Sequence, residues 1–255
     1  MKTSRLKSNL RLDQALVQRG LCATREKAQR AILAGQVLHR SQTAKKPSDP
    51  VKADDELALT VPERYVSRGG LKLEHGLRHF QVDPRGLTAI DLGASTGGFT
   101  DCLLQLGTAR VFAVDVGRGQ LAWKLRQDPR VIVMERTNAR HLTLASFPAP
   151  FAGADLVVAD CSFISLRKIF PAAVALLRGS GRILALVKPQ FEAGKAEADR
   201  GAGVITDPAV HARVLRELRE FLAPNAGILW RGETESPLLG PAGNKEFLVL
   251  LEKTT

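Results

Sequence analysis

Apolar and polar positions change period twice along the chain. Over residues 10–20, Leu12, Ala15 and Leu16 fall on one helical face and Arg11 and Arg19 lie off it, which predicts a short amphipathic helix. Thr24 stands where a helix cap is needed, and a second helix is expected to run to Ala34 and stop at Gly35. Its Ala28, Ala31 and Ile32 face inward, leaving Arg25, Lys27 and Arg30 outside. A strand at 36–39, a Lys-Pro loop and a strand near 56–60 close a small α/β unit over residues 10–61. Residues 1–9 read as a basic tail, and 62–68, with Pro62 and Tyr65, as a linker.

From residue 69 onward, short apolar runs alternate with amphipathic stretches. Strands are predicted near 87–91, 110–115, 131–135, 154–159, 182–188, 226–231 and 246–251. Helices are predicted at 70–80, 98–106, 119–126, 166–178 and 207–222. The first carries Leu73, Leu77 and Phe80 on its buried stripe and Lys72 on another face, and Trp123 is expected to pack within its own helix. This alternation predicts an α/β fold over 69–255: a seven-stranded Rossmann-like sheet ending in a β-hairpin. Strand order is not legible from periodicity.

Charge adds a division of labour. Of the formal net charge of +11, most sits in residues 1–68, which hold 14 Lys and Arg against 7 Asp and Glu. A small basic unit ahead of a milder α/β domain implies a polyanion-binding module joined to a catalytic one. Arg11, Arg19, Arg25, Lys27 and Arg30 are the candidate phosphate contacts, with a solvated helix face as the alternative. Cys22, Cys102 and Cys161 are far apart, show no metal-ligand spacing and imply a reducing compartment, so no metal is expected. No apolar run nears the roughly 18 residues of a membrane span. The basic, polar N-terminus lacks a signal-like apolar core, so a cytoplasmic protein with no membrane role is expected.

The chemistry gathers at predicted strand ends. Asp91-Leu-Gly-Ala-Ser-Thr-Gly-Gly-Phe-Thr100 joins the first strand of the larger domain to a helix. An acidic strand end followed by a glycine-rich turn into a helix N-terminus is how such folds hold a nucleoside-bearing cofactor. The spacing is not the dinucleotide G-x-G-x-x-G, and the Lys-Ser/Thr of a phosphate loop is absent. It reads as a turn for S-adenosylmethionine (SAM), with Asp91, Gly93, Ser95, Gly97, Gly98 and Phe99 as cofactor contacts. Asp115, at the end of the next strand, suits the hydroxyls of an adenosine ribose. Asn138, after the third strand, reads the adenine edge or serves as a turn residue.

Asp160 and Lys188 end the fourth and fifth strands, Glu246 opens the last, and Lys72 lies on the helix before the first. Two readings stand for this quartet. It is a site in which a lysine among charges gives up its proton and acts on a hydroxyl, or it is a buried salt-bridge network.

The segments Val66-Ser-Arg-Gly-Gly-Leu-Lys72, Asp91–Thr100, Gly119-Gln-Leu-Ala-Trp-Lys-Leu-Arg126, Glu135-Arg-Thr-Asn-Ala-Arg140, Ala159-Asp-Cys-Ser-Phe-Ile-Ser165 and Leu186-Val-Lys-Pro-Gln-Phe-Glu192 together resemble the TlyA family, also called haemolysin A. Residues 10–60 resemble an S4-type RNA-binding domain. The resemblance covers nearly the whole chain. It implies an FtsJ-like, SAM-dependent 2′-O-methyltransferase acting on a cytidine of ribosomal RNA. It also implies the family's Lys-Asp-Lys-Glu tetrad at Lys72, Asp160, Lys188 and Glu246. Which lysine is the base stays open. Among family members the shorter forms act on 23S RNA alone, and this chain stops soon after its last predicted strand, so the large subunit is the expected partner, with 16S RNA as the other possibility. Oligomeric state is unread. The rivals are an RNA-binding protein with a vestigial methyltransferase half, which a broken turn or missing tetrad lysine would favour, and a haemolysin, which would need a secretion signal or membrane-seeking segments. The sequence shows none of these features.

Overall fold

The computed structural model describes residues 10–22, 24–60, 64–194, 197, 201, 203–224 and 227–254, so the tail expected at 1–9 lies outside the described residues. The chain divides into two units, Met1–Glu63 and Arg64–Thr255.

In the smaller unit the apolar spacing produces the expected helix pair. Its elements run β1 (Leu10–Arg11), α1 (Leu12–Gln18), α2 (Arg25–Leu33), β2 (Val37–His39), β3 (Gln42–Thr43), β4 (Pro50–Val51) and β5 (Leu57–Leu59). Thr24 caps α2, its side chain accepting from the Lys27 N–H. Leu12, Ala15, Leu16, Ala28, Ile32 and Val37 form the core between the helices and an antiparallel sheet of order β3-β2-β5. β1 pairs separately with β4. These pieces, and β3, are two residues long, too short for sequence periodicity to register.

The larger unit opens with a segment expected to be a linker. That expectation is corrected from residue 64: Tyr65 is buried at 3 % exposure, and the Val66 N–H donates to Asp101 at 2.8 Å. Then follow α3 (Gly69–His79), β6 (Thr88–Leu92), α4 (Gly98–Gln105), β7 (Arg110–Val114), α5 (Trp123–Arg126), β8 (Val131–Met134), β9 (Ala154–Ala159), α6 (Phe170–Leu176), β10 (Leu177–Val187), α7 (Pro189–Glu192), α8 (Pro208–Leu222), β11 (Ile228–Glu235) and β12 (Phe247–Lys253). The sheet order is β11-β12-β10-β9-β6-β7-β8, parallel except for β12, which runs antiparallel to both neighbours.

Period-two alternation builds two apolar layers. Ile90, Leu92, Phe112, Val114, Ile183 and Ala185 point to one side, where Phe170, Leu176, Val214 and Leu218 cover them. Ala89, Val111, Leu156, Val158 and Leu184 point to the other, against Leu73, Leu77 and Leu103.

Two expectations fail locally. The helix expected at 119–126 is one turn beginning at Trp123, and Trp123 is 72 % exposed, because in so short a helix Leu125 fills the buried position. β10 starts at Leu177, five residues earlier than expected, since Arg178–Gly181 bulge between two pairings with β9.

Candidate active site

β6 and β9 are neighbours although two strands separate them in sequence, so the order reverses there and a crevice opens beyond their C-terminal ends. The turn after β6 forms its floor. Asp91 is fully buried, and its Oδ2 accepts from the Thr100 N–H (3.0 Å) and Oγ1–H (2.7 Å). Gly93 and Ala94 donate their N–H groups to the Val114 carbonyl, pinning the turn to β7. Gly93 has φ +84°, and a Cβ there would stand 2.7 Å from the Asp160 carbonyl oxygen, so only glycine permits this close approach of two chains.

The crevice has two contiguous lobes. One, of about 290 Å³, is lined by Arg68, Lys72, Gly98, Phe99, Lys188 and Glu246, among others. The other, of about 370 Å³, is lined by Val114, Asp115, Asn138, Ala139, Phe163 and Ile164, among others. Gly93, Ser95, Asp160 and Ser162 border both.

The first lobe holds the quartet. Lys188 Nζ lies 2.5 Å from Asp160 Oδ1 and donates to Ser162 Oγ at 2.8 Å. Lys72 Nζ donates to Glu246 Oε2 at 2.5 Å, with both side chains buried. Gly240 lies against this pair: a Cβ on it would stand 2.6 Å from Glu246 Oε1. The residues expected to converge do so, as two ion pairs facing one lobe. Asp160 is its most open member, with a side chain 24 % exposed.

The second lobe fits the nucleoside of a cofactor. Asp115 offers a carboxylate beside an apolar wall of Val114, Ala139, Ile164 and Ile169. Ser95 N–H (2.8 Å) and Gly117 N–H (2.7 Å) orient that carboxylate. Asn138 lines the lobe, and its side-chain oxygen accepts from the Arg140 N–H, the turn role that is one of its two readings.

Two expected cofactor contacts need correction, and the phosphate candidates carry internal bonds as well. Asp91 lies under the crevice floor, shaping the turn through Thr100 rather than lining the wall. Gly97, φ +97°, also stays off the wall: a Cβ there would strike the side chains of Leu121 and Leu125, so its role is packing beneath α5. In the smaller unit most candidate phosphate contacts are engaged internally. Arg11 and Arg25 both hold the buried Asp13 carboxylate, and Arg19 donates to the carbonyls of Lys52, Ala53 and Asp55. Arg30 pairs with Glu26 one helical turn away at the surface, and Lys27 is exposed with no ion pair among the described residues. Asp13, buried inside an apolar helix pattern, draws Arg11 and Arg25 to it, and periodicity could not show it.

Sequence reasoning gave no role to Arg68, Ser162, Gln120 or Glu192. All four lie inside the segments that carry the family resemblance, and the contacts that use them are long-range.

Buried ionisable groups around the turn respond to this setting. Burial, with Asp160 and Asp115 nearby, pushes the Asp91 carboxyl up to about 7 despite the Thr100 hydrogen bonds that favour its ionised form. Burial, reinforced by Asp160, pushes the Cys161 thiol up to about 12, which suits an inert thiol rather than a nucleophile.

A doubly wound sheet with an acidic strand end, a glycine turn and a charged quartet at the switch point defines an α/β methyltransferase. Comparison with known proteins makes this specific: the FtsJ-like methyltransferase profile matches residues 65–253 and the S4 domain profile residues 10–57, and the chain belongs to the FtsJ-like TlyA family. It is 48 % identical over 254 residues to the 16S/23S rRNA (cytidine-2′-O)-methyltransferase TlyA of Mycobacterium tuberculosis, covering 96 % of this chain and 90 % of that one. It is 32 % identical over 201 residues to the 23S rRNA (cytidine-2′-O)-methyltransferase TlyA of Campylobacter jejuni, covering 79 % and 76 %. A solved structure of a candidate hemolysin from Streptococcus thermophilus superposes with TM-score 0.72 at 43 % identity, covering 96 % of this chain and 88 % of that one. No described helix is long and apolar enough to cross a membrane.

Proposed function

We propose that this protein transfers the methyl group of SAM to the ribose 2′-hydroxyl of a cytidine in ribosomal RNA, within the cytoplasm. The observation that carries the reading is the pair of ion pairs, Lys188–Asp160 and Lys72–Glu246, facing one lobe that joins, at Asp160, a second lobe lined by Asp115 and an apolar wall. Two carboxylates holding two ammonium groups at a crevice wall set up proton transfer from a weakly acidic hydroxyl, while the free Cys161 thiol on the second lobe, pushed up to about 12, is poorly suited to attack a base.

SAM supplies an electrophilic methyl group on a sulfonium. Asp115 would hold its ribose hydroxyls, and the apolar wall its adenine. Lys188, its own proton passed to Asp160, would accept the 2′-hydroxyl proton, while Lys72, fixed by Glu246, offers positive charge to the developing alkoxide. Alignment and exclusion of water provide most of the acceleration, because an alkyl sulfonium is already reactive.

The S4-type unit would bring phosphate affinity through Lys27 and Arg30, with its other arginines shared between structure and surface. Large-subunit RNA is the favoured target, being common to the names of both relatives. The test is incubation of the purified protein and labelled SAM with each isolated ribosomal subunit, followed by mass mapping of the RNA. A 2′-O-methylcytidine in 23S RNA is expected. Label in 16S RNA alone would overturn the subunit assignment, and label on a base would overturn the reaction.

A further inference from the structure

Two segments that sequence similarity singles out, Ala159–Ser165 and Leu186–Glu192, turn out to be mechanically joined. Lys188 and Glu192 stand at the two ends of the single turn of α7, Lys188 as the extended residue before it and Glu192 as its last residue. Lys188 grips the near end of the loop after β9, through Asp160 and Ser162 Oγ. Glu192 grips the far end: Oε2 accepts from Ser165 Oγ–H at 2.6 Å and Oε1 from the Leu166 N–H at 2.7 Å. Its half-buried carboxyl therefore caps the 3-10 turn Leu166–Lys168 from another element, alongside Ser165, whose Oγ accepts from the Arg167 N–H.

Between the two grips the loop is held against its preference. Phe163 has φ +62°, left-handed backbone that a bulky residue rarely adopts, and its side chain is almost fully exposed at the crevice rim. It leans on Phe191, with ring centroids 5.1 Å apart, so α7 supplies this contact too. Strain of this kind persists only where surrounding contacts over-determine it.

We propose that Glu192 is a positioning residue for methyl transfer: by clasping Ser165 and Leu166 it sets the loop that carries Asp160, and so aligns the Lys188–Asp160 pair on the hydroxyl. The proposal rests on the reaction assigned above. Glu192 does not line either lobe, so it acts through the loop and not on the reactants. Losing one end of the clasp lets Asp160 shift, and misplacement by about 1 Å is enough to slow a well-aligned transfer roughly a hundredfold.

The experiment compares the full-length protein with Glu192→Ala, Glu192→Gln and Ser165→Ala. Four quantities are read: single-turnover transfer to ribosomal RNA at saturating SAM, the KM for RNA, SAM affinity by calorimetry, and hydrogen exchange across residues 154–187. Glu192→Ala is expected to slow transfer about tenfold to a hundredfold, while SAM affinity and the KM for RNA stay within about threefold. The Leu166 amide should lose protection while β9 and β10 keep theirs. Glu192→Gln keeps an acceptor for that amide and should recover most of the rate, and Ser165→Ala, which removes one of two bonds, should fall between. If the wild type labels RNA and Glu192→Ala turns over at the same rate, the proposal is overturned. It is also overturned if SAM affinity collapses in parallel with the rate, or if Leu166 exchange is unchanged. A wild type that labels no ribosomal RNA overturns the functional reading itself, and is told apart by that control.

Discussion

Lys188 and Asp160 each follow a strand, β10 and β9, that are parallel neighbours in the sheet, and their charged groups meet at 2.5 Å across the crevice mouth. The neighbouring strands bring both residues to the crevice mouth before substrate arrives. Lys188→Ala should reduce methyl transfer by at least about a hundredfold, the usual scale for a lost proton-transfer group. SAM affinity, measured by calorimetry, should stay within a few-fold, since Lys188 faces the quartet lobe. Retained turnover would remove it from the catalytic set.

Gly240 guards the second pair. An added methyl would meet Glu246 Oε1 at 2.6 Å, and Glu246 is too deeply buried to swing aside into water. Gly240→Ala should therefore push Glu246 off Lys72 and slow transfer about tenfold or more. Thermal melting should change by only a few degrees, because the clash falls on the end of one side chain. A large loss of stability with normal turnover of the surviving folded protein would show that Glu246 is structural.

Asp91 makes stability depend on pH with an unusual sign. Its folded carboxyl titrates at about 7, above the ordinary carboxylate range, so the folded state binds the proton more tightly than the unfolded chain does. Its contribution is complete at acid pH and is lost as pH rises from about 4 through 7. Asp91→Asn should flatten that slope in thermal melts of the protein. Asp91→Ala, which removes the acceptor for both Thr100 donors, should loosen the turn and weaken SAM binding by about tenfold. Normal cofactor affinity in the alanine variant would mean that the turn holds its shape without Asp91.

Much of this site was legible because strand ends carry chemistry in an α/β sheet. Once the strands are placed, Asp115, Asp160 and Lys188 follow, and the glycine turn is recognisable by spacing. What stayed hidden is long-range. Nothing near Arg25 in sequence tells that Asp13, twelve residues earlier on the buried face of α1, will claim it. Tyr65 reads as linker because its burial depends on fitting beneath Gly70, where a Cβ would lie 2.3 Å from its ring. Gly97 looks like a ligand glycine because its constraint comes from Leu121 and Leu125, just before and within a later helix.

The inward arginines of the S4-type unit separate stability from RNA affinity. Arg19→Ala removes the donors to three carbonyls between Lys52 and Asp55 and should destabilise that unit by about 1 kcal/mol, read by hydrogen exchange over residues 10–60. Lys27→Ala should leave exchange untouched and weaken RNA binding. The reverse pattern would return Arg19 to the RNA interface and make Lys27 a bystander.

Acid should unfold the smaller unit first, and salt should strip it from RNA. Asp13 and Asp55 are buried, which alone would raise their carboxyls, but hydrogen bonds from Arg11, Gln29 and Arg25 to the one, and from Lys52, His39 and Arg40 to the other, hold both far below the usual range. That stability is present above about pH 4 and is lost as pH falls further, opposite in direction to the Asp91 contribution. At neutral pH, RNA affinity should fall linearly on a log–log plot against salt, with a slope near −0.7 to −0.9 per phosphate contact. A chain lacking residues 1–63 should keep the SAM affinity of the whole protein, show a shallower salt slope and methylate ribosomal RNA poorly. Equal slopes for the two proteins, measured by filter binding between 50 and 200 mM salt, would place the phosphate contacts on the larger unit instead.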